Sequence, residues 1–163
     1  MSDPAMQLTK EAIGAAVGRV PSGCFVLTTR HEDRATGVLV SWVQQASFEP
    51  LSVSVAIKQG RPAVSLIEGA GVFALNVISS DPTAMFKHFG KGYSLDEDAF
   101  RGLRVQESEF GALLEDCVAH LGCRVTGKMS AGDHDLYVAR VVAGQVRVDT
   151  RPYTHVRRSG LTY

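Results

Sequence analysis

Long hydrophobic runs are missing from this 163-residue chain. No apolar stretch approaches the about 18–20 residues of a membrane-spanning helix, so no membrane span is expected. The Met1-Ser2-Asp3-Pro4 start lacks a basic segment followed by an apolar one, and no signal peptide is expected. Charge of one sign is lacking too. Seventeen Lys and Arg balance 17 Asp and Glu, with no basic stripe, which argues against a nucleic-acid surface. Cysteine is scarce: Cys24, Cys117 and Cys123 are odd in number, lie in apolar surroundings and form no C-x-x-C pair. They read as reduced core thiols of a cytoplasmic protein rather than a disulfide framework. His31, His88, His120, His134 and His155 are scattered, so spacing gives no metal site. No internal repeat or low-complexity linker divides the chain, and its length suits one domain over residues 1–163.

What is present is a series of short strand patterns. Residues 8–18 read as a short helix with an apolar face of Leu8, Ala12, Ile13, Ala15 and Ala16. Cys24 to Thr29 and Thr36 to Val40 read as strands around a polar tip, His31-Glu32-Asp33-Arg34. Leu51, Val53, Val55 and Ile57 alternate with Ser52, Ser54 and Ala56 as a half-buried strand. Arg61-Pro62 opens a helix to about Glu68, with Pro where its missing N–H costs nothing. Val72 to Ile78 is a buried strand; Asp81-Pro82 starts a helix that Gly90 stops. Residues 91–103 read as a mobile loop with an acidic patch, Asp96-Glu97-Asp98. Val118–Thr126, Leu136–Ala143, Gln145–Val148 and Tyr153–Arg157 are further strands, with Gly132-Asp133 at a hairpin corner. Many short strands with few short helices predict a mainly β fold, a small barrel rather than a doubly wound sheet.

Two stretches need separate treatment. Gly69-Ala70-Gly71-Val72-Phe73-Ala74 matches a dinucleotide fingerprint, but that motif needs a strand before it and a helix after it. Here the order is reversed, and a helix-to-strand turn is expected. The second stretch is Ser41-Trp42-Val43-Gln44-Gln45-Ala46-Ser47, which places two amides, two hydroxyls and the only Trp between two apolar strands. A plain connection needs only Gly, Asn, Asp or Pro. Such neutral hydrogen-bonding groups suit a segment that wraps a ligand.

Several segments in order carry a family resemblance. Ser41 to Pro50 is followed by a strand and then Lys58 and Arg61; Phe73-Ala74-Leu75-Asn76-Val77, His88-Phe89, Asp98-Ala99-Phe100-Arg101-Gly102 and Gly132-Asp133-His134 come later. With the tail from His155 to Tyr163, this resembles the flavin reductase-like family of FMN-binding split β-barrels, in particular the flavin reductase module of diflavin flavodiiron proteins. The metal-binding and flavodoxin-like parts of those fused proteins are not in this sequence, so a free-standing module is expected.

The resemblance implies noncovalent FMN, with FAD as the alternative, and NADH or NADPH as hydride donor. It also implies a homodimer with flavin sites near the subunit interface. Ser41, Trp42, Val43, Gln45, Ala46 and Ser47 would wrap the ring edge; Ser41, Lys58, Arg61 and the helix opened by Pro62 would take the phosphate. Trp42 reads equally as a core anchor, and Lys58 and Arg61 as surface charges. Asn76 reads better as a satisfied buried amide than as a ligand group. His134 is either a solvated turn residue or, as the family's G-D-H segment implies, a group beside flavin and nicotinamide that orients the donor. No nucleophile or acid–base pair stands out, as hydride transfer is the cofactors' chemistry. The rival readings are a tightly FMN-bound carrier passing electrons to an acceptor protein, and a non-catalytic barrel binding flavin or haem.

Overall fold

The computed structural model describes residue 6 and residues 8–162; the Met1–Pro4 start and Tyr163 of the tail lie outside the described residues. In chain order the elements are α1 (Lys10–Val17), β1 (Ser22–Gly23), β2 (Phe25–His31), β3 (Arg34–Val40), β4 (Val43–Phe48), β5 (Leu51–Lys58), α2 (Pro62–Ala70) and β6 (Val72–Val77). After these come α3 (Thr83–Phe89), β7 (Val105–Gln106), β8 (Leu113–Leu114), β9 (Ala119–Ala131), β10 (His134–Val146) and β11 (Thr154–His155).

Seven strands form one antiparallel sheet in the order β3-β2-β6-β9-β10-β5-β4. The two edges of this sheet, β3 and β4, are consecutive in the chain and joined only by Ser41 and Trp42. Three Cα–Cα steps from Val40 to Val43 cover at most about 11 Å. The sheet must therefore curl until its edges nearly meet, which makes it a barrel with an open seam. Val40 and Val43 on either side of the seam are both buried. The Trp42 carbonyl accepts from the Ala56 amide at 3.0 Å, which fastens the linker to β5.

The core has two parts because β2 is buried on both faces. Leu27 points into the barrel with Val55, Phe73, Leu75 and Tyr137. Its neighbour Val26 points outward, where Ile78, Met85, Phe89 and Leu114 cover it. Successive side chains alternate across a strand, so two covered faces give a continuous apolar run rather than an alternating one. Most buried polar groups on this outer face are paired, although Nδ1 of buried His120 has no partner among the described residues. Asn76 donates to the Val26 carbonyl at 3.0 Å and accepts from the Leu114 amide at 2.8 Å, and Thr28 donates to the Ala112 carbonyl at 2.6 Å. Asn76 is thus a satisfied structural amide, as expected.

Several boundaries differ from the sequence reading. The polar Ser41–Ser47 stretch is not one long connection: only Ser41-Trp42 links, and Val43–Phe48 is the edge strand β4 paired with β5. Its weak strand propensity is overridden by this pairing, and a register shift between Gln45 and Ser47 absorbs the extra residue. The expected strand at Gln145–Val148 is the end of β10, and the one at Tyr153–Arg157 shortens to β11. Residues 91–103 are anchored rather than loose. Ala99 is buried, its carbonyl lies 2.9 Å from His88 Nε2, and Tyr93 donates to the His88 carbonyl at 3.0 Å. The 69–74 motif is the expected helix-to-strand turn, with Gly71 left-handed at φ 70° at the end of α2.

In α1 the buried positions are glycine, not the apolar residues expected to face inward; Ile13 and Val17 are exposed. A Cβ at Gly14 would lie 2.6 Å from Leu161, and one at Gly18 would lie 2.7 Å from the Arg157 carbonyl. The C-terminal segment occupies that face. It is held by hydrogen bonds from the Gly160 amide to Gly14 and from the Arg157 amide to Gly18. This docking carries the tail back to the seam.

Candidate functional site

The seam opens into a cleft of about 270 Å³. Val38, Val40, Phe86 and Phe89 give it apolar walls, while Ser41, Lys58, Arg61, His155 and Arg157 supply polar groups. A second cleft of about 310 Å³ lies beside it, lined by Val17, Val20, Gln44, Ser54 and Leu136 among others. The two share Trp42, Ala56, His155 and Arg157. Trp42, 38% exposed, therefore stands on the partition between them.

Each polar group is placed by a local cause. Lys58 ends β5, and Arg61 is the residue before Pro62 at the start of α2. Arg61 makes no side-chain capping bond, so the positive end of the helix dipole has no side-chain acceptor at the cap position. Arg157 reaches the cleft from the tail. Its Nη2 donates to Ser41 Oγ at 2.7 Å, its Nε lies 3.4 Å from His155 Nε2, and its guanidinium sits 5.0 Å from the Trp42 ring. Since arginine only donates, His155 Nε2 accepts, and its ring is neutral. Burial, and then the Arg157 charge, hold the His155 pKa below its ordinary value, which agrees with that tautomer. Cys24, also on the cleft wall, is a thiol pushed up to about 11 by burial, which disqualifies it as a nucleophile near neutral pH.

The first reading of His134, a solvated turn residue, does not hold. The residue is neither solvated nor on the cleft wall, but buried at 4% exposure behind Trp42. The two ring centroids are 4.6 Å apart, with planes tilted by 45°. Nδ1 lies 2.7 Å from Asp133 Oδ1; the carboxylate can only accept, so Nδ1 carries the proton. This hydrogen bond from His134 is the main reason the Asp133 pKa is lowered.

The structure thus brings together Ser41, Trp42, Lys58 and Arg61. It does not bring the rest of the expected set to this cleft. Val43 is buried in the barrel core, Gln45 and Ala46 are exposed and Ser47 half-buried on the outer edge strand, and Pro62 sits at the first helical position of α2 beside the lining. Paired with β5 as an edge strand, Val43–Phe48 buries only Val43, and of its residues Gln44 alone lines a cleft, the second one. Sequence reasoning missed Arg157, His155, Phe86 and Phe89 as lining residues. The only signal was the tail's H-x-R spacing, which carries no meaning until the tail is known to return to Ser41. Among the described residues no cluster of His, Cys, Asp or Glu could hold a metal ion. Nor is any described helix long and apolar enough to cross a membrane.

Residues 17–160 match the family model of the flavin reductase-like domain. The chain belongs to the flavin reductase-like family. Membership makes it an oxidoreductase domain that handles flavin. A Nostoc sp. (strain PCC 7120) protein named a diflavin flavoprotein A is 33% identical over 162 residues, covering 98% of this chain and 28% of its own length. The chain therefore spans little more than a quarter of that relative. Two solved structures share the fold. The NADH:FAD oxidoreductase SgcE6 of Streptomyces globisporus C-1027 has a TM-score of 0.83 at 18% identity, covering 94% of both chains. The styrene monooxygenase flavin reductase of Pseudomonas putida S12 has a TM-score of 0.74 at 22% identity, covering 87% of this chain and 90% of its own.

Proposed function

We propose that the seam cleft holds FMN and that the protein, as a homodimer, reduces it with NADH or NADPH. The observation that carries this is the composition of one cleft. Apolar walls from β3 and α3 suit a flat ring, Trp42 suits its edge, and Lys58 and Arg61 beside the start of α2 suit a phosphate. The residue types fit the group: the same cleft offers aromatic and aliphatic surface for the ring and the cations Lys58 and Arg61 for the phosphate.

Bound flavin supplies the hydride acceptor. The protein's part is to bind, orient and exclude water. Arg61 and Lys58 fix the anionic end, and Ser41, already accepting from Arg157, has a hydroxyl proton to donate. The second cleft opens on the same Trp42 and gives the hydride donor a place next to the first. His134 and Asp133 act from behind, by holding the Trp42 ring. No side chain is asked to form a covalent bond.

The dimer reading rests on exposed apolar surface. Phe48 on the edge strand β4 is 87% exposed, and Val146 at the end of β10 is 72% exposed. A partner seated there would bring β4, with Gln45, Ala46 and Ser47, against a neighbouring site. Three free buried thiols suit a reducing, cytoplasmic setting.

Purification under mild conditions, flavin analysis by chromatography and anaerobic addition of each nicotinamide test the proposal. The expected result is a yellow or FMN-reconstitutable protein whose absorbance near the flavin band bleaches with NADH or NADPH. A flavin-loaded protein inert to both would instead make it an electron carrier, and a haem spectrum would overturn the reading.

A further inference from the structure

The loop that carries Lys58 and Arg61 is held from outside the cleft. Lys58 ends β5 and pairs in register with His134, the first residue of β10. Gly60 follows in the left-handed region at φ 78°, and Arg61 precedes α2. Between them, Gln59 faces away from the cleft and grips the β9–β10 hairpin at three points. Its amide donates to the Asp133 carbonyl at 3.0 Å, and its Nε2 donates to Asp135 Oδ1 at 2.9 Å and to Ser130 Oγ at 3.2 Å.

Asp135 also holds the far end of α2. Its other oxygen, Oδ2, lies 3.1 Å from Lys128 Nζ, and Lys128 is in turn paired with Glu68 in the last turns of α2. Tyr137 Oη donates to the same Glu68 oxygen at 3.2 Å. One carboxylate, buried at 6% exposure on a sheet strand, thus reaches both the residue before α2's turn and the helix's last turns. An exposed ion pair alone contributes little. A buried carboxylate with both oxygens engaged is a different case, because removing one partner leaves a desolvated acceptor.

We infer that Gln59 is a positioning residue for the anion-binding end of the cleft, acting through Arg61 and Lys58 with Asp135 as its anchor. This rests on the proposal that Arg61 and Lys58 take the flavin phosphate. The chain turns at Gly60 so that residues 58 and 61 face one cleft while residue 59 faces the hairpin. Without the Gln59 side chain the turn loses two polar ties on its outer side and keeps only the backbone bond to Asp133, and the two cations lose their fixed spacing.

FMN and riboflavin differ only in the phosphate, so the ratio of their affinities reads the anion-binding end alone. The experiment titrates both flavins into wild type, Gln59→Leu, Asp135→Asn, Arg61→Ala and the double variant Gln59→Leu/Arg61→Ala. Gln59→Leu is expected to weaken FMN about tenfold, the scale of one hydrogen bond to a charged group, with riboflavin changed by less than about twofold. Asp135→Asn, which keeps the side-chain shape, should shift the ratio in the same direction. In the Arg61→Ala background Gln59→Leu should cost clearly less than it does in wild type, because the part of its effect that runs through Arg61 is gone and only the part through Lys58 remains. Equal weakening of both flavins, or full additivity, would overturn the inference and leave Gln59 a general structural residue. If Arg61→Ala itself leaves the FMN-to-riboflavin ratio unchanged, the phosphate assignment fails and this inference falls with it. If Arg61→Ala narrows the ratio and Gln59→Leu does not, only the positioning role fails.

Discussion

The imidazole of His134 packs 4.6 Å from the indole of Trp42, on a ring that Asp133 orients through a 2.7 Å hydrogen bond. Trp42 is half of the two-residue linker that joins the sheet's edges, and it is tied to β5 through its carbonyl, which accepts from the Ala56 amide. A buried imidazole behind it, and the Arg157 guanidinium beside it, hold it on the partition between the clefts. Fold closure and site geometry meet at this pair.

Replacing His134 should therefore act through Trp42. His134→Ala leaves Ser41, Lys58 and Arg61 in place, and FMN affinity should stay within a few-fold. Flavin reduction should slow by about 10–100-fold, the scale of lost positioning. Single-turnover reduction of FMN-saturated wild type and variant measures this, and tryptophan fluorescence of Trp42, the only Trp, reports the ring directly. Equal rates with an altered Trp42 signal would separate the ring's position from the chemistry.

Much of this arrangement was legible in the sequence, and the exceptions have physical causes. The Pro62 helix start and the Gly71 turn are local signals that appear where the residues place them, and the Leu51–Ile57 strand buries Val53, Val55 and Ile57 as expected but exposes Leu51 and buries Ser52. Strand β4 was hidden because its pairing, not its composition, makes it a strand. Arg157 was hidden because its partner Ser41 is 116 residues away, a distance no local pattern spans. His134 sat in a recognised segment, but its burial depends on the Trp42 linker crossing in front of it.

The exposed apolar strands give a second prediction. Phe48→Asp adds a charge on the outer edge without touching the cleft, since Phe48 is 87% exposed. Sedimentation of wild type should show a dimer that Phe48→Asp weakens by at least about tenfold, as one desolvated charge at an interface costs several kcal/mol. A flavin-loaded wild-type monomer at micromolar concentration would contradict the dimer.

Stability should fall on acidification in two stages. The His155 pKa is lowered by burial and Arg157, so the folded chain resists a proton that the unfolded chain accepts. Its contribution is complete above about pH 6.5 and is lost as pH falls through the folded value. Glu68, Asp133 and Asp135 are lowered by their hydrogen bonds to Lys128, His134 and Gln59 respectively. They add stability above the ordinary carboxylate range and lose it as pH falls below about 4. Thermal unfolding from pH 7 to 3 should show both slopes, and His155→Gln should remove the upper one only.

The account stands most directly on one measurement: anaerobic stopped-flow mixing of the FMN-saturated protein with NADH and with NADPH, followed at the flavin absorbance. It predicts full bleaching at a saturable rate with at least one nicotinamide. That rate should far exceed the rate for free FMN under the same conditions. Bleaching no faster than free FMN with either donor would contradict it.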